Sequence, residues 1–218
     1  MKIQGVIFDM DGVLVLSEQA HWQSWLVPAE RRGKKIEYKT FLSCFGRINP
    51  DCIRIMFGPQ IPAEESEKIA DEKENAFRDI IRRNMPLAPG TVELLTALKA
   101  AGLKLAVGSS GPKENVELVL TAGGIARFFD AYVHGGQVKH GKPAPDVFLL
   151  AAESMGLPAE LCAVIEDAPA GIAAAVAAKM LPVAVTTTHS AAELRAAGAA
   201  VVFADIAAIP VSFFTGAK

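Results

Sequence analysis

The sequence predicts an α/β chain: a doubly wound parallel sheet with an inserted all-helical segment. Three observations carry this. From residue 87 onward, short β-branched apolar runs alternate with helical patterns, the rhythm of a parallel sheet covered by helices. The runs are nearly continuous in apolar residues, as strands buried on both faces require. Residues 17–86, by contrast, hold no convincing strand and most of the charge clusters.

The elements follow in order. Ile3–Asp9 reads as the first strand, with Leu103–Ser109, Ala131–His134, Cys162–Glu166, Pro182–Thr186 and Val201–Ala204 after it. Helices are expected over Gly90–Ala101, Pro112–Ala122, Pro143–Met155, Pro169–Ala178 and Ala191–Ala197. Pro89, Pro112, Pro143 and Pro169 sit at or near those starts, where a missing N–H costs least. Gly102, Gly156 and Gly198 follow the ends, where a left-handed residue closes a helix. Within the insert, Glu64–Arg83 reads as a long helix with Ile69, Phe77, Ile80 and Ile81 on its apolar side. The expected division is a core of residues 1–16 and 87–218 and a helical cap of 17–86, with Pro86–Gly90 as the return hinge. The insert begins beside Asp9 and Asp11, which places it to act as a lid.

Composition narrows the function classes. The chain has 218 residues, 51% of them hydrophobic, enough for one large domain or a domain with an insert. A net charge of −2 gives no support for nucleic acid as a main partner. The three cysteines, Cys44, Cys52 and Cys162, have no metal-like spacing and suit reduced thiols in the cytoplasm. Asp9 and Asp11 interrupt the first apolar run, unlike a secretory signal, and no apolar stretch approaches the roughly 18 to 20 residues of a membrane span.

Asp9-Met10-Asp11-Gly12 is the most informative motif. Alternation puts both carboxylates on one side of the backbone, at a strand end where α/β proteins hold ligands. Charges that close repel unless a cation or a shared proton relieves them, so the pair predicts a metal, a covalent nucleophile, or both. The apolar run Val13–Leu16 speaks against a calcium loop, which needs further oxygen ligands. Three more spots fall at predicted strand ends. Ser109-Ser110-Gly111 offers a phosphate site or an ordinary helix cap. Lys142 precedes a helix, against its dipole, and is either solvated or engaged by an anion. Glu166-Asp167 supplies hard oxygen ligands suited to Mg²⁺, or a helix cap.

Acids, hydroxyl, lysine and acids again, in that order at successive strand ends, resemble the haloacid dehalogenase-like hydrolase superfamily. The sequence is most similar to its β-phosphoglucomutase and phosphoglycolate phosphatase group, which has a Rossmann-like core and a small helical cap. Gly141-Lys142-Pro143-Ala144-Pro145-Asp146 and Ile165-Glu166-Asp167-Ala168-Pro169-Ala170-Gly171 are typical of that group. The resemblance implies a Mg²⁺-dependent phosphatase acting on a small-molecule phosphate ester. Asp9 would be the nucleophile and Asp11 the acid and base, with Asp9, Asp11 (through its carbonyl), Glu166 and Asp167 around the metal. Ser109, Ser110 and Lys142 would hold the phosphoryl group, and His21, Gly46 and Arg47 would face the substrate from the cap. A monomer or weak homodimer is expected. Sugar-phosphate mutases carry a Lys before the cap-loop Gly and an Arg three residues after it. Phe45 and Asn49 stand there in this chain, which disfavours the mutase alternative. A non-catalytic binding protein on the same fold is the reading from another class.

Overall fold

Gly5–Phe8 (β1) lies at the centre of the sheet, and every one of its residues is buried. In the computed structural model, which describes residues 3–216, all six expected strands form. The others are Lys104–Gly108 (β2), Ala131–Val133 (β3), Cys162–Glu166 (β4), Leu181–Val185 (β5) and Val201–Phe203 (β6). They assemble in the order β3-β2-β1-β4-β5-β6, each neighbouring pair parallel. The chain winds outward from β1 to β3 and then from β4 to β6, so the direction reverses between β1 and β4. Such a switch point opens a crevice at the carboxyl ends of the strands. Phe8 registers with Val107 on one side and Ile165 on the other, so Asp9, Ser109 and Glu166 emerge at the same rim.

Alternation along the strands builds two cores. Val6 and Phe8 join Leu105, Val107, Ile165 and Val183 on one face, against Thr91–Ala100 (α5) and Lys113–Ala122 (α6). Ile7, Ala106 and Val164 face the other way, against Asp146–Ser154 (α7) and Pro169–Ala177 (α8). Ala191–Ala196 (α9) covers β5 and β6. The expected helix over Pro143–Met155 starts three residues late, at Asp146. Lys142 and Ala144 each precede a proline, which excludes them from the helical region.

Between β1 and β2 the chain forms Glu18–Arg31, Tyr38–Cys44, Asn49–Phe57 and Ala63–Arg83 (labelled α1 to α4 in order). Trp25, Phe41, Ile53 and Ile69 make a separate apolar cluster among these helices. Phe77 and Ile81, further along α4, belong instead to the cluster beneath the sheet. Arg32 ties α1 to α4 through Glu65 at 2.6 Å and Glu72 at 2.9 Å. The entering and returning chains meet: Leu16 N–H donates to Pro86 O at 2.8 Å, and Ala88 N–H to Leu14 O at 2.9 Å. Among the described residues, no helix is long and apolar enough to cross a membrane.

Candidate active site

The rim of β1 and β4 gathers the acidic residues. Asp9 follows β1, Glu166 ends β4 and Asp167 follows it, and one oxygen from each lies within 4.8 Å of the others. All three are buried. Lys142, with 0% exposure, donates to Asp9 Oδ1 and, at 2.6 Å, to Glu166 Oε1. Glu166 Oε2 accepts the backbone N–H groups of Asp167 and Ala168, both at 2.9 Å, which fixes its orientation. Two glycines leave room for these carboxylates. A Cβ on Gly171, in α8, would stand 1.7 Å from Glu166 Oε1, and one on Gly12 would stand 1.8 Å from Asp167 Oδ2.

Burial dominates the electrostatics. It raises Asp9, Lys142 pulls back, and the Glu166 and Asp11 carboxylates push up again, for a pKa of about 7. Asp167 is held well above the usual carboxylate range by burial, Glu166 and Asp9. Burial lowers Lys142, but Asp9 and Glu166 outweigh it and hold the ammonium above its ordinary range. A single lysine thus does not offset the burial of Asp9 and Asp167. Asp167 Oδ1 is buried with no hydrogen-bond partner among the described residues. An orphaned oxygen in a cluster of hard donors fits a divalent cation such as Mg²⁺.

Asp11 belongs to a different environment. Its carboxylate lies outside that cluster, where Oδ1 accepts Ser17 Oγ at 2.6 Å and pairs with His21 Nε2 at 2.9 Å. Burial raises Asp11, but the charge and hydrogen bond of His21, with Ser17 and Lys73, outweigh it and hold it below the ordinary value. Two aspartates two residues apart are therefore driven in opposite directions, the pattern that separates acid–base roles. The His21 ring stacks on Phe77 with centroids 4.0 Å apart, so α1 and α4 together aim it.

A pocket opens from Asp9 and Asp11 towards the inserted helices. Phe45, Gly46 and Arg47 line it from the loop between α2 and α3, and Asn49 from the start of α3. Ser110 lines the core side and donates from Oγ to Gly46 O at 2.8 Å, joining core to insert. Gly46 has φ +83, and a Cβ there would come within 3.1 Å of Ala168, so the loop closes directly over the rim.

The sequence profile of the haloacid dehalogenase-like hydrolases matches residues 3–179. The chain belongs to this family. This hydrolase is 35% identical over 97% of its length to SUPPRESSOR OF QUENCHING 1, a chloroplastic protein of Arabidopsis thaliana, but spans only 20% of that longer protein. It is 32% identical to a fructose-1-phosphate phosphatase of Escherichia coli, covering 82% of this chain and 94% of the relative. Among solved structures it is similar to a β-phosphoglucomutase from Clostridium difficile, with a TM-score of 0.89, 28% identity, and 98% and 96% of the two chains covered.

In this hydrolase most of the residues singled out from sequence converge. Asp9, Lys142, Glu166 and Asp167 form the buried cluster, and Asp11, His21, Gly46, Arg47 and Ser110 line the pocket beside it. Ser109 is the exception within its motif. It is buried, its Oγ accepts the N–H of Gly111 at 3.0 Å, and its own N–H donates to Val133 O at 3.0 Å. Its side chain thereby shapes the turn that presents Ser110 and Gly111 to the pocket.

Sequence reasoning missed two groups. Thr187 and Thr188 follow β5 at the same rim. Thr188 Oγ1 donates to Asp167 Oδ2 at 2.5 Å, and Thr187 Oγ1 donates to Gly12 O at 2.5 Å. A run of three threonines at a strand end was the available signal. Lys73 and Glu74 line the far side of the pocket, 3% and 5% exposed. Their signal was periodic: Lys73 falls four residues after Ile69 and four before Phe77, inside the apolar stripe of α4.

Proposed function

We propose that this chain is a Mg²⁺-dependent phosphatase of small organic phosphate monoesters, sugar phosphates foremost, working through an aspartyl-phosphate on Asp9. The observation that carries the reading is the buried contact of Lys142 with Asp9, set among three carboxylates at the mouth of a pocket. The phosphatase named among the relatives supports it.

In this reading an Asp9 oxygen attacks phosphorus and the bond to the leaving oxygen breaks, giving an acyl phosphate on Asp9. Asp11 gives a proton to the leaving oxygen, then takes one from the water that cleaves the acyl phosphate and frees Asp9. Asp11 is held ionised, the form the second step needs. For the first step it must carry a proton, and the His21 ring at 2.9 Å is the group placed to share one. Lys142 offsets the charge of Asp9 and of the phosphoryl oxygens, while Glu166 orients Lys142. Asp9 and Asp167, with Glu166 and the Asp11 carbonyl close by, would hold Mg²⁺, which supplies the positive charge that lets an anionic nucleophile approach a phosphate. Ser110 and Gly111 face the phosphoryl group and Arg47 faces the leaving group. The helices α1–α4 act as a cap over the rim. The protein works as a monomer or weak homodimer, and its three free thiols suit the cytoplasm.

A phosphosugar mutase is the second reading, favoured by the likeness to β-phosphoglucomutase. Phe45 is packed edge-on against His21 and Phe41, and Asn49 is bound to Glu74, so neither offers a cation for a second phosphate. Hydrolysis of p-nitrophenyl phosphate by wild type and Asp9→Asn, each with Mg²⁺ and with EDTA, tests the proposal. Activity is expected only for wild type with Mg²⁺. Equal activity of Asp9→Asn would overturn the mechanism, and an inactive folded wild type would restore the mutase or a non-catalytic binding protein.

A further inference from the structure

Lys73 and Glu74 form a buried charged pair that the proposed chemistry does not use. A charge in the apolar stripe of a helix is costly unless it is matched locally. Lys73 Nζ donates to Glu74 Oε1 at 2.8 Å, and its ammonium stands 5.3 Å from the ring centroids of both Trp25 and Phe77. Asn49 Nδ2 donates to the same Glu74 oxygen at 2.8 Å, and Asn115 Nδ2, from α6, to Oε2 at 2.6 Å. Every neighbour of the carboxylate is thus a donor. Burial raises Glu74, but Lys73, His21 and the Asn49 hydrogen bond outweigh it and hold its pKa below the ordinary value.

We propose that Glu74 sets the leaving-group specificity of this pocket, admitting the neutral, hydroxylated leaving group of a sugar monophosphate and rejecting one that carries a second phosphate or a carboxylate. The inference rests on the phosphatase reading above. The pocket wall beyond Asp11 holds two basic side chains, Arg47 and Lys73. Glu74 cancels the second, and Arg47 alone remains without a carboxylate among the described residues. A second phosphate dianion would meet a buried carboxylate with one cation to offset it. Hydroxyl groups meet the reverse situation: they donate to Glu74 and accept from Lys73, Asn49 and Arg47. Between charges roughly 7 Å apart in a partly desolvated site, one unmatched charge changes a rate ratio by about tenfold.

The test compares kcat/KM on a hexose monophosphate, the corresponding hexose bisphosphate, phosphoglycolate and p-nitrophenyl phosphate for wild type, Glu74→Gln and Glu74→Asp. Wild type is expected to favour the monophosphate over both anionic competitors by about tenfold or more. Glu74→Gln, which frees the charge of Lys73, should shrink that preference by about tenfold, and Glu74→Asp should retain it. A ratio within one variant is insensitive to a general loss of activity, so a purely structural role for Glu74 would lower all rates and leave the ratio unmoved. An unchanged ratio in Glu74→Gln, or a wild type indifferent to the second phosphate, overturns the proposal. Should Glu74→Gln fail to fold, Lys73→Gln, which leaves the Glu74 carboxylate unmatched, is read instead: the preference for the monophosphate should grow, and an unchanged or smaller preference overturns the proposal. A wild type inactive even on p-nitrophenyl phosphate overturns the phosphatase reading instead, and this inference with it.

Discussion

Lys142 carries no exposed surface and contacts two carboxylates, so its removal leaves negative charge buried with nothing to offset it. Lys142→Met is expected to lower stability by about 3–5 kcal/mol, the range for breaking one side of a buried ion pair. It should also lower kcat by about 10²–10³-fold, as loss of a charge-stabilising donor does. Urea unfolding at neutral pH and turnover of p-nitrophenyl phosphate check both; a variant as stable as wild type would show that the lysine is not what holds these carboxylates. This residue was legible in the sequence only in company: a lysine before a helix is by itself either solvated or engaged by an anion, and its place among acids and hydroxyls at successive strand ends pointed to the second. Lys73 was harder to read. Its counter-charge is its own neighbour, so locally the pair resembles a solvated helix face, and only the four-residue spacing from Ile69 to Phe77 places it inside. The partner that fixes Glu74 most firmly to the core, Asn115, lies 41 residues away, beyond the reach of any local pattern.

At the scale of elements, α8 shows how a helix yields to a site. Replacing a mid-helix glycine by alanine ordinarily gains up to about 1 kcal/mol. At Gly171 the new Cβ would overlap Glu166 Oε1, at 1.7 Å, and Glu166 is anchored by Lys142 and two backbone N–H groups. Gly171→Ala is therefore expected to be destabilising and to impair activity, measured as a lower Tm and a lower kcat. A more stable, fully active variant would show that Glu166 moves aside freely. The strands were the most legible elements, because buried parallel strands write themselves as apolar runs. Helix α4 was legible for its length and stripe, whereas α1, α2 and α3 were not resolved individually. Two of those are short, and α1 contains Pro28, a residue that normally argues for a break. The late start of α7 was written in Ala144-Pro145, through the restriction a proline imposes on the residue before it.

At the scale of the molecule, Glu74 joins the inserted helices to the sheet domain through Asn115, and its acidity makes that union pH-dependent. Its folded pKa lies below the ordinary 4.5. The stability it contributes is therefore complete above that value and is lost as pH falls through the depressed folded one. Wild type should exceed Glu74→Gln by about 1–3 kcal/mol at neutral pH, the cost of breaking a buried network, and the gap should narrow as pH falls below 4.5 through the depressed folded range. Urea titrations of both proteins at neutral pH and at a series of acidic pH values measure it, and a gap that widens on acidification would contradict the assignment. The doubly wound class was readable from alternation alone, but the strand order was not, because nothing local records which strand pairs with which.

The paired crossing of Leu14–Leu16 with Pro86–Ala88 has a consequence for how such a protein can diversify. The chain departs and returns at one point, and two hydrogen bonds close the sheet domain across that gap, while Phe77, Ile81 and the Glu74–Asn115 contact seat the returning helix on it. Closing a longer excursion adds only about 0.6 kcal/mol of entropy per doubling. The stretches of the excursion away from those contacts can be lengthened or shortened while Asp9, Lys142, Glu166 and Asp167 stay in register. The rim and the wall that faces it thus lie on separable stretches of chain, a fixed socket and an adjustable fitting.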